Sequence, residues 1–180
     1  MGGRRKGFHA AIIDTVRVVA GPLRLRTVDE ASAWLRTHEP SLVAVDSPRT
    51  AAPDGLRSRP EERALVRTVC GLRYTPDAAR LAGNPYYEWI RHGFELYSAL
   101  EAWGLDAIEC FPTASWTRWA GPRGSRPRGS WSALALAGTG LRAVPRGLDQ
   151  DGRDAIGAAL TARCRGRGRW ESFGPIVVPA

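Results

Sequence analysis

Lysine is almost absent from this sequence: of 26 basic residues, all but Lys6 are arginine. Cysteine is sparse as well. Cys70, Cys110 and Cys164 lie far apart and form no Cys-x-x-Cys pair. An odd, irregular set argues against a disulfide framework and against structural zinc, and it fits a reducing cytoplasm. No apolar run approaches the roughly 20 residues of a membrane helix, so no membrane partner is expected. The basic start Arg4-Arg5-Lys6 leads into a short apolar run that is interrupted at His9 and ended by Asp14, which does not match a secretory signal. Gly2-Gly3 belongs to no GxxxxGK[ST] pattern and precedes no helical pattern, which argues against phosphoryl transfer to a small molecule. No internal repeat is visible.

What remains is an ordinary globular composition. The 180 residues are 43% hydrophobic and 24% charged, so one domain spanning residues 1–180 is expected. The formal charge is +8, from 26 basic and 18 acidic residues. A GC-rich genome accounts for the choice of arginine over lysine. It does not account for the excess over acids, which favours a polyanionic partner such as nucleic acid.

Phe8 to Ile13, Val16 to Ala20 and Leu23 to Thr27 read as three strands of a meander. Thr27 and Glu30 form a capping-box pattern ahead of a helix with Ala31, Trp34 and Leu35 on one face, stopped by Pro40. Ser41 to Val45 reads as a strand buried on both faces, with Asp46 at its carboxyl end and Pro48 breaking it. Pro60, Glu61 and Glu62 start a short helix. Asn84-Pro85 caps a long amphipathic helix through Trp89 and Leu100 to Trp103. Leu105 to Phe111 is a second strand with Glu109 near its end. Gly121 to Gly129 reads as a loop, Ser130 to Ala137 as a short helix, and Gln150 to Arg163 as a helix carrying Asp154. Ile176 to Val178 reads as a last strand.

Open α/β sheets place their chemistry at the carboxyl ends of strands. Asp46 and Glu109 stand there, and Asp154 sits in the first turns of a late helix, where Asp149 and Asp151 also serve as ordinary caps. Carboxylates that converge are best reconciled by a divalent cation, and oxygen ligands suit Mg²⁺ or Mn²⁺. Such ions cleave phosphodiesters by activating water and stabilising the leaving oxygen. Trp116, Trp119 and Trp131 flank a loop bearing Arg123, Arg126 and Arg128, a combination that can hold single-stranded nucleic acid, although tryptophans at helical spacing are more often core.

The pieces Val43-Ala44-Val45-Asp46-Ser47-Pro48, Ser58-Arg59-x-x-Glu62-Arg63, Ile108-Glu109-Cys110-Phe111-Pro112, Asp154 to Ala162 and Glu171 to Pro179 together resemble the prokaryotic family numbered 429 among domains of unknown function. That family is regarded as predicted nucleases with an RNase H-like α/β fold, a mixed sheet with helices on both faces. The resemblance implies that Asp46, Glu109 and Asp154 are the acidic, metal-holding positions, with Arg59, Glu62 and Arg63 on the helix beside them. In the family a strand ending in Gly-x-Asp precedes the stretch matched by Gly2 to Ala11. The sequence is therefore expected to enter one strand late in a sheet of order 3-2-1-4-5, the natural protein being longer. The alternative takes Phe8 to Ile13 as strand one, with Asp14 or His9 in place of that acid. Lys6, His9, Arg59 and Arg63 are the expected substrate contacts. The expected function is metal-dependent hydrolysis of DNA or RNA. The competing reading is a non-catalytic nucleic-acid-binding or adaptor protein on a degenerate site.

Overall fold

The computed structural model describes residues 7–180, and Lys6 therefore lies outside the described residues. The fold is α/β, with strands in both parallel and antiparallel pairing. Strand β1 (Phe8–Ile13) pairs antiparallel with β2 (Val18–Leu25). The second and third strands of the expected meander are thus one strand. Register slips where Ala10 faces Leu23 but Ile12 faces Ala20, so Gly21 and Pro22 bulge opposite Ala11. Gly21 has φ +72°, and a Cβ there would stand 2.5 Å from the Ala10 carbonyl oxygen. Only glycine lets the strand pass through that bend.

Helix α1 (Val28–His38) begins as its cap pattern dictates: Thr27 Oγ1 accepts the Glu30 N–H at 3.1 Å. The reciprocal bond shifts by one residue, because Glu30 accepts the Arg26 N–H at 2.6 Å. Strand β3 (Val43–Val45) then pairs parallel with β4 (Ala107–Cys110), Val45 opposite Glu109. Between them lie α2 (Pro60–Thr68), the short α3 (Ala78–Ala82) and α4 (Glu88–Ala102). Pro112 at the first turn opens α5 (Pro112–Ala120), which hydrophobic patterning does not reveal. Helices α6 (Arg128–Gly138) and α7 (Gln150–Gly166) follow. The chain ends in a hairpin of β5 (Trp170–Phe173) and β6 (Ile176–Pro179), turned at Gly174. Strand β6 lies between β4 and β5, giving the order β3-β4-β6-β5.

Helices cover both faces, as the period of two along β1 requires. Phe8, Ala10 and Ile12 join Leu35 of α1 and Leu96 and Leu100 of α4 in one core. Ala11 and Ile13 join Trp116, Trp131, Ile156 and Leu160 of α5, α6 and α7 in another. Helix α7 comes close under the strands because it is built from small residues. At Gly157 a Cβ would sit 2.5 Å from the Trp116 ring.

Among the described residues, no strand joins β1 to β3. The two sheets are separated by a slot lined by five consecutive residues on each side, Phe8 to Ile12 and Leu42 to Asp46. Its lids are Ala31, Leu35 and Leu96 on one face and Ala155, Ala158 and Ala159 of α7 on the other. Among the described residues, no helix is long and apolar enough to cross a membrane.

Candidate functional site

Asp46 follows directly on β3, and the β3–β4 register puts Glu109 beside the last residue of that strand. The early turns of α7 bring up Asp151 and Asp154, three residues apart and so on one helix face. All four acids line one cleft of about 1130 Å³, together with Arg123 and Arg128. The three acids named from the sequence therefore share a cavity, but they are not equivalent.

Glu109 is buried, and both its oxygens are taken. Arg59 donates to Oε2 at 2.9 Å and also to Oε1, and the Arg49 N–H donates to Oε2 at 2.9 Å. Arg59 also donates through Nε to Glu62 Oε1 at 3.2 Å, and its backbone N–H donates to Glu62 Oε2 at 3.0 Å. Thr75 completes the set, donating its N–H to Glu62 Oε2 at 3.0 Å. Burial alone would push the guanidinium down, but Glu109 and Glu62 outweigh it and hold Arg59 firmly charged. The sequence reading makes Arg59 a substrate contact. Here it is 2% exposed and fully occupied, a strut between the first turn of α2 and the end of β4. Arg63, the other expected contact on α2, is exposed, reaches back to Ser58, and is not among the residues lining the cleft.

Asp154 accepts the Trp116 Nε1–H at 2.8 Å and a Gln150 amide N–H at 2.9 Å on Oδ1, and Arg128 at 2.9 Å on Oδ2. Burial, followed by the charge of Asp46, raises its pKa above the usual carboxylate value despite these donors. The sign follows from proton binding. Below the ordinary value both folded and unfolded chains hold the proton, and between the ordinary and raised values only the folded chain does. Stability contributed by this group is therefore present at low pH and lost as pH rises through the raised value. In metal-free buffer Asp154→Asn is expected to raise the melting temperature at pH 7 and to leave it nearly unchanged at pH 4. A thermal melt at the two pH values checks this.

His9 points into the neighbouring slot, where Asp46, Asp151 and Asp154 also reach. Its ring and the carboxylates of Asp149 and Asp151 bring ligand atoms within 4.8 Å of one another, a grouping that Asp46, Glu109 and Asp154 do not achieve. Asp149 is meanwhile the helix cap, accepting the Gly152 N–H at 2.8 Å. Asp151 is the residue that cap chemistry hid. Its three-residue spacing from Asp154 was the available signal. Ser47, next to Asp46, lines the cleft with a buried hydroxyl that has no partner among the described residues.

Two of the tryptophans that flank the arginine loop, Trp116 and Trp131, offer no stacking surface. Trp116 and Trp131 are fully buried, with Trp131 donating to the Gly121 carbonyl at 3.0 Å. Arg126 folds onto the carbonyls of its own loop. The buried Cys110 thiol is pushed well up by burial and by Asp46, which suits packing rather than nucleophilic attack.

No family model, curated protein or solved structure matches this chain.

Proposed function

We propose that this protein is a divalent-metal-dependent nuclease of RNase H-like fold, hydrolysing phosphodiester bonds of DNA or RNA. The observation that carries the reading is that Asp46, Asp151 and Asp154, from opposite halves of the chain, line one cleft that also bears Arg123 and Arg128. Acids at the floor with arginines beside them suit a polyanion whose backbone is held while one phosphate is worked on. The fold reading rests on an antiparallel pair set beside parallel strands. Between the two lies a narrow slot of about 100 Å³ under apolar lids.

The donor set fits a hard cation. Asp46, Asp151 and Asp154 offer carboxylate oxygens, and burial, followed by the charge of Asp46, raises the pKa of Asp154. Glu109, bound on both oxygens by Arg59, instead fixes the end of β4. Mg²⁺ or Mn²⁺ held by the three aspartates would polarise a phosphate and supply a water of lowered pKa. Arg128, already reaching Asp154, is placed to take a phosphate oxygen in its stead, and Arg123 adds charge at the rim.

The test is cleavage of labelled single- and double-stranded DNA and RNA with millimolar Mg²⁺ or Mn²⁺. Cleavage is expected with metal, none with EDTA, and Asp46→Asn is expected to lower the rate at least about 100-fold, as loss of several kcal/mol of charge stabilisation does. The competing reading, binding without catalysis, has one observation in its favour: Asp154 is already held by Trp116, Gln150 and Arg128. Oligonucleotide binding with no cleavage of any substrate would decide for it.

A further inference from the structure

The wall of the cleft contributed by the start of α4 and the turn before it is aromatic. Tyr86 and Trp89 line it, and Arg73 lies on the same side. Tyr86 is 51% exposed, unlike the buried Trp116 and Trp131. One face of its ring carries the Arg73 guanidinium, 5.5 Å from the centroid, a planar group that a stacked base would replace. Tyr87 meets Tyr86 edge to face, 5.1 Å between centroids, and half of Tyr86 still faces solvent. Arg123 and Arg128 come from the loop after α5 and the start of α6. The cleft thus offers an aromatic surface and a basic surface, with Asp46, Asp151 and Asp154 among the residues they share it with.

We infer that the cleft takes a single strand of nucleic acid, with a base stacked on Tyr86 and the backbone phosphates against Arg123 and Arg128. This deepens the nuclease reading, on which it rests for the identity of the ligand. Both the aromatic surface and the depth of the acids select against a duplex. Paired bases keep their faces stacked on one another, so an exposed tyrosine face finds no partner in a duplex, whereas every unpaired base has one to offer. The acids also lie deep: Asp154 is 8% exposed and Asp46 half-buried. A phosphate must descend into a cavity of about 1130 Å³ to reach them. One unpaired strand can bend a phosphate down into it, whereas a duplex holds each phosphate on a stiff double backbone. Arginine suits both sides, as it binds phosphate through a planar fork and stacks on π-faces.

The experiment is fluorescence anisotropy in EDTA, so that nothing is cut, with a 12-nucleotide oligo-dT or oligo-U and a 12-base-pair DNA duplex as probes. The full chain is expected to bind the single strands at least about 10-fold more tightly than the duplex. Tyr86→Ala should weaken single-strand binding about 5- to 100-fold, the range that loss of one stacked base spans. It should leave duplex binding and the melting temperature unchanged, because Tyr86 is largely exposed. Tyr86→Phe, which keeps the ring, should restore binding. Equal or tighter duplex binding, an unchanged affinity in Tyr86→Ala, or no binding of any probe overturns the inference. Failure of the nuclease reading is read separately, as intact substrate in the presence of metal, and leaves the EDTA result standing.

Discussion

Arg59→Met is expected to cost about 3–5 kcal/mol of stability, a large share of the roughly 5–15 kcal/mol that holds a domain folded. Arg59 satisfies two buried carboxylates at once, with Glu109 on one side and Glu62 on the other. Removing the cation leaves Glu62 and Glu109, 2% and 4% exposed, with the backbone N–H of residue 59 and Thr75 as donors to Glu62 and the Arg49 N–H as donor to Glu109. Attraction within the trio is largely offset by the cost of burying the charges. It is the loss of one partner that is severe. Urea denaturation followed by circular dichroism measures the effect. A surface arginine that only holds substrate would behave oppositely, with affinity falling and the denaturation midpoint unmoved. Glu62→Gln and Glu109→Gln should each cost less than Arg59→Met, since Arg59 then keeps one carboxylate.

Trp116→Ala is expected to cost a similar amount, about 3–5 kcal/mol, for a different reason. The indole is fully buried among Trp131, Ile156 and Leu160, and its edge fills the space left by Gly157. Deletion opens a cavity that a glycine on the facing helix cannot close. It also withdraws the Nε1–H donor from Asp154, a carboxylate that burial already disfavours in its charged form. Trp116→Phe separates the two effects. It keeps most of the volume and should cost about 1–2 kcal/mol, chiefly through the lost hydrogen bond. Thermal and urea unfolding of both variants at pH 7 test this, and equal losses in the two would assign the whole effect to the hydrogen bond.

These residues also show what the sequence could disclose. The strand before Asp46 was legible because three apolar residues buried between helices leave a continuous hydrophobic run. The start of α1 was legible because a cap is a local event, fixed by Thr27 and Glu30 alone. The start of α7 at Gln150 was legible for the same reason, with Asp149 as its cap. The role of Arg59 was not. Nothing within a few residues announces that its partner is Glu109, 50 positions away, and an arginine in a basic protein reads first as surface. Helix α5 escaped because Pro112 ends one pattern and begins another at the same residue. The β5 strand escaped because Trp170 to Phe173 is short and only partly buried, its conformation imposed by pairing with β6. Asp46, Glu109 and Asp154 were found as acids at strand and helix ends. Which of them could face a cation was decided by hydrogen bonds formed across the fold.

The slot between β1 and β3 has a consequence for handling the protein. Each of these strands has a pairing partner on one side alone among the described residues, so backbone amides and carbonyls stand ready along both rims. The gap between them measures only about 100 Å³ under the lids of α1, α4 and α7, so an extended segment from a neighbouring molecule finds no room there while those helices stay packed. Intermolecular β-structure, and with it precipitation, is therefore expected to start only on warming, once a covering helix lifts and bares the strand margins.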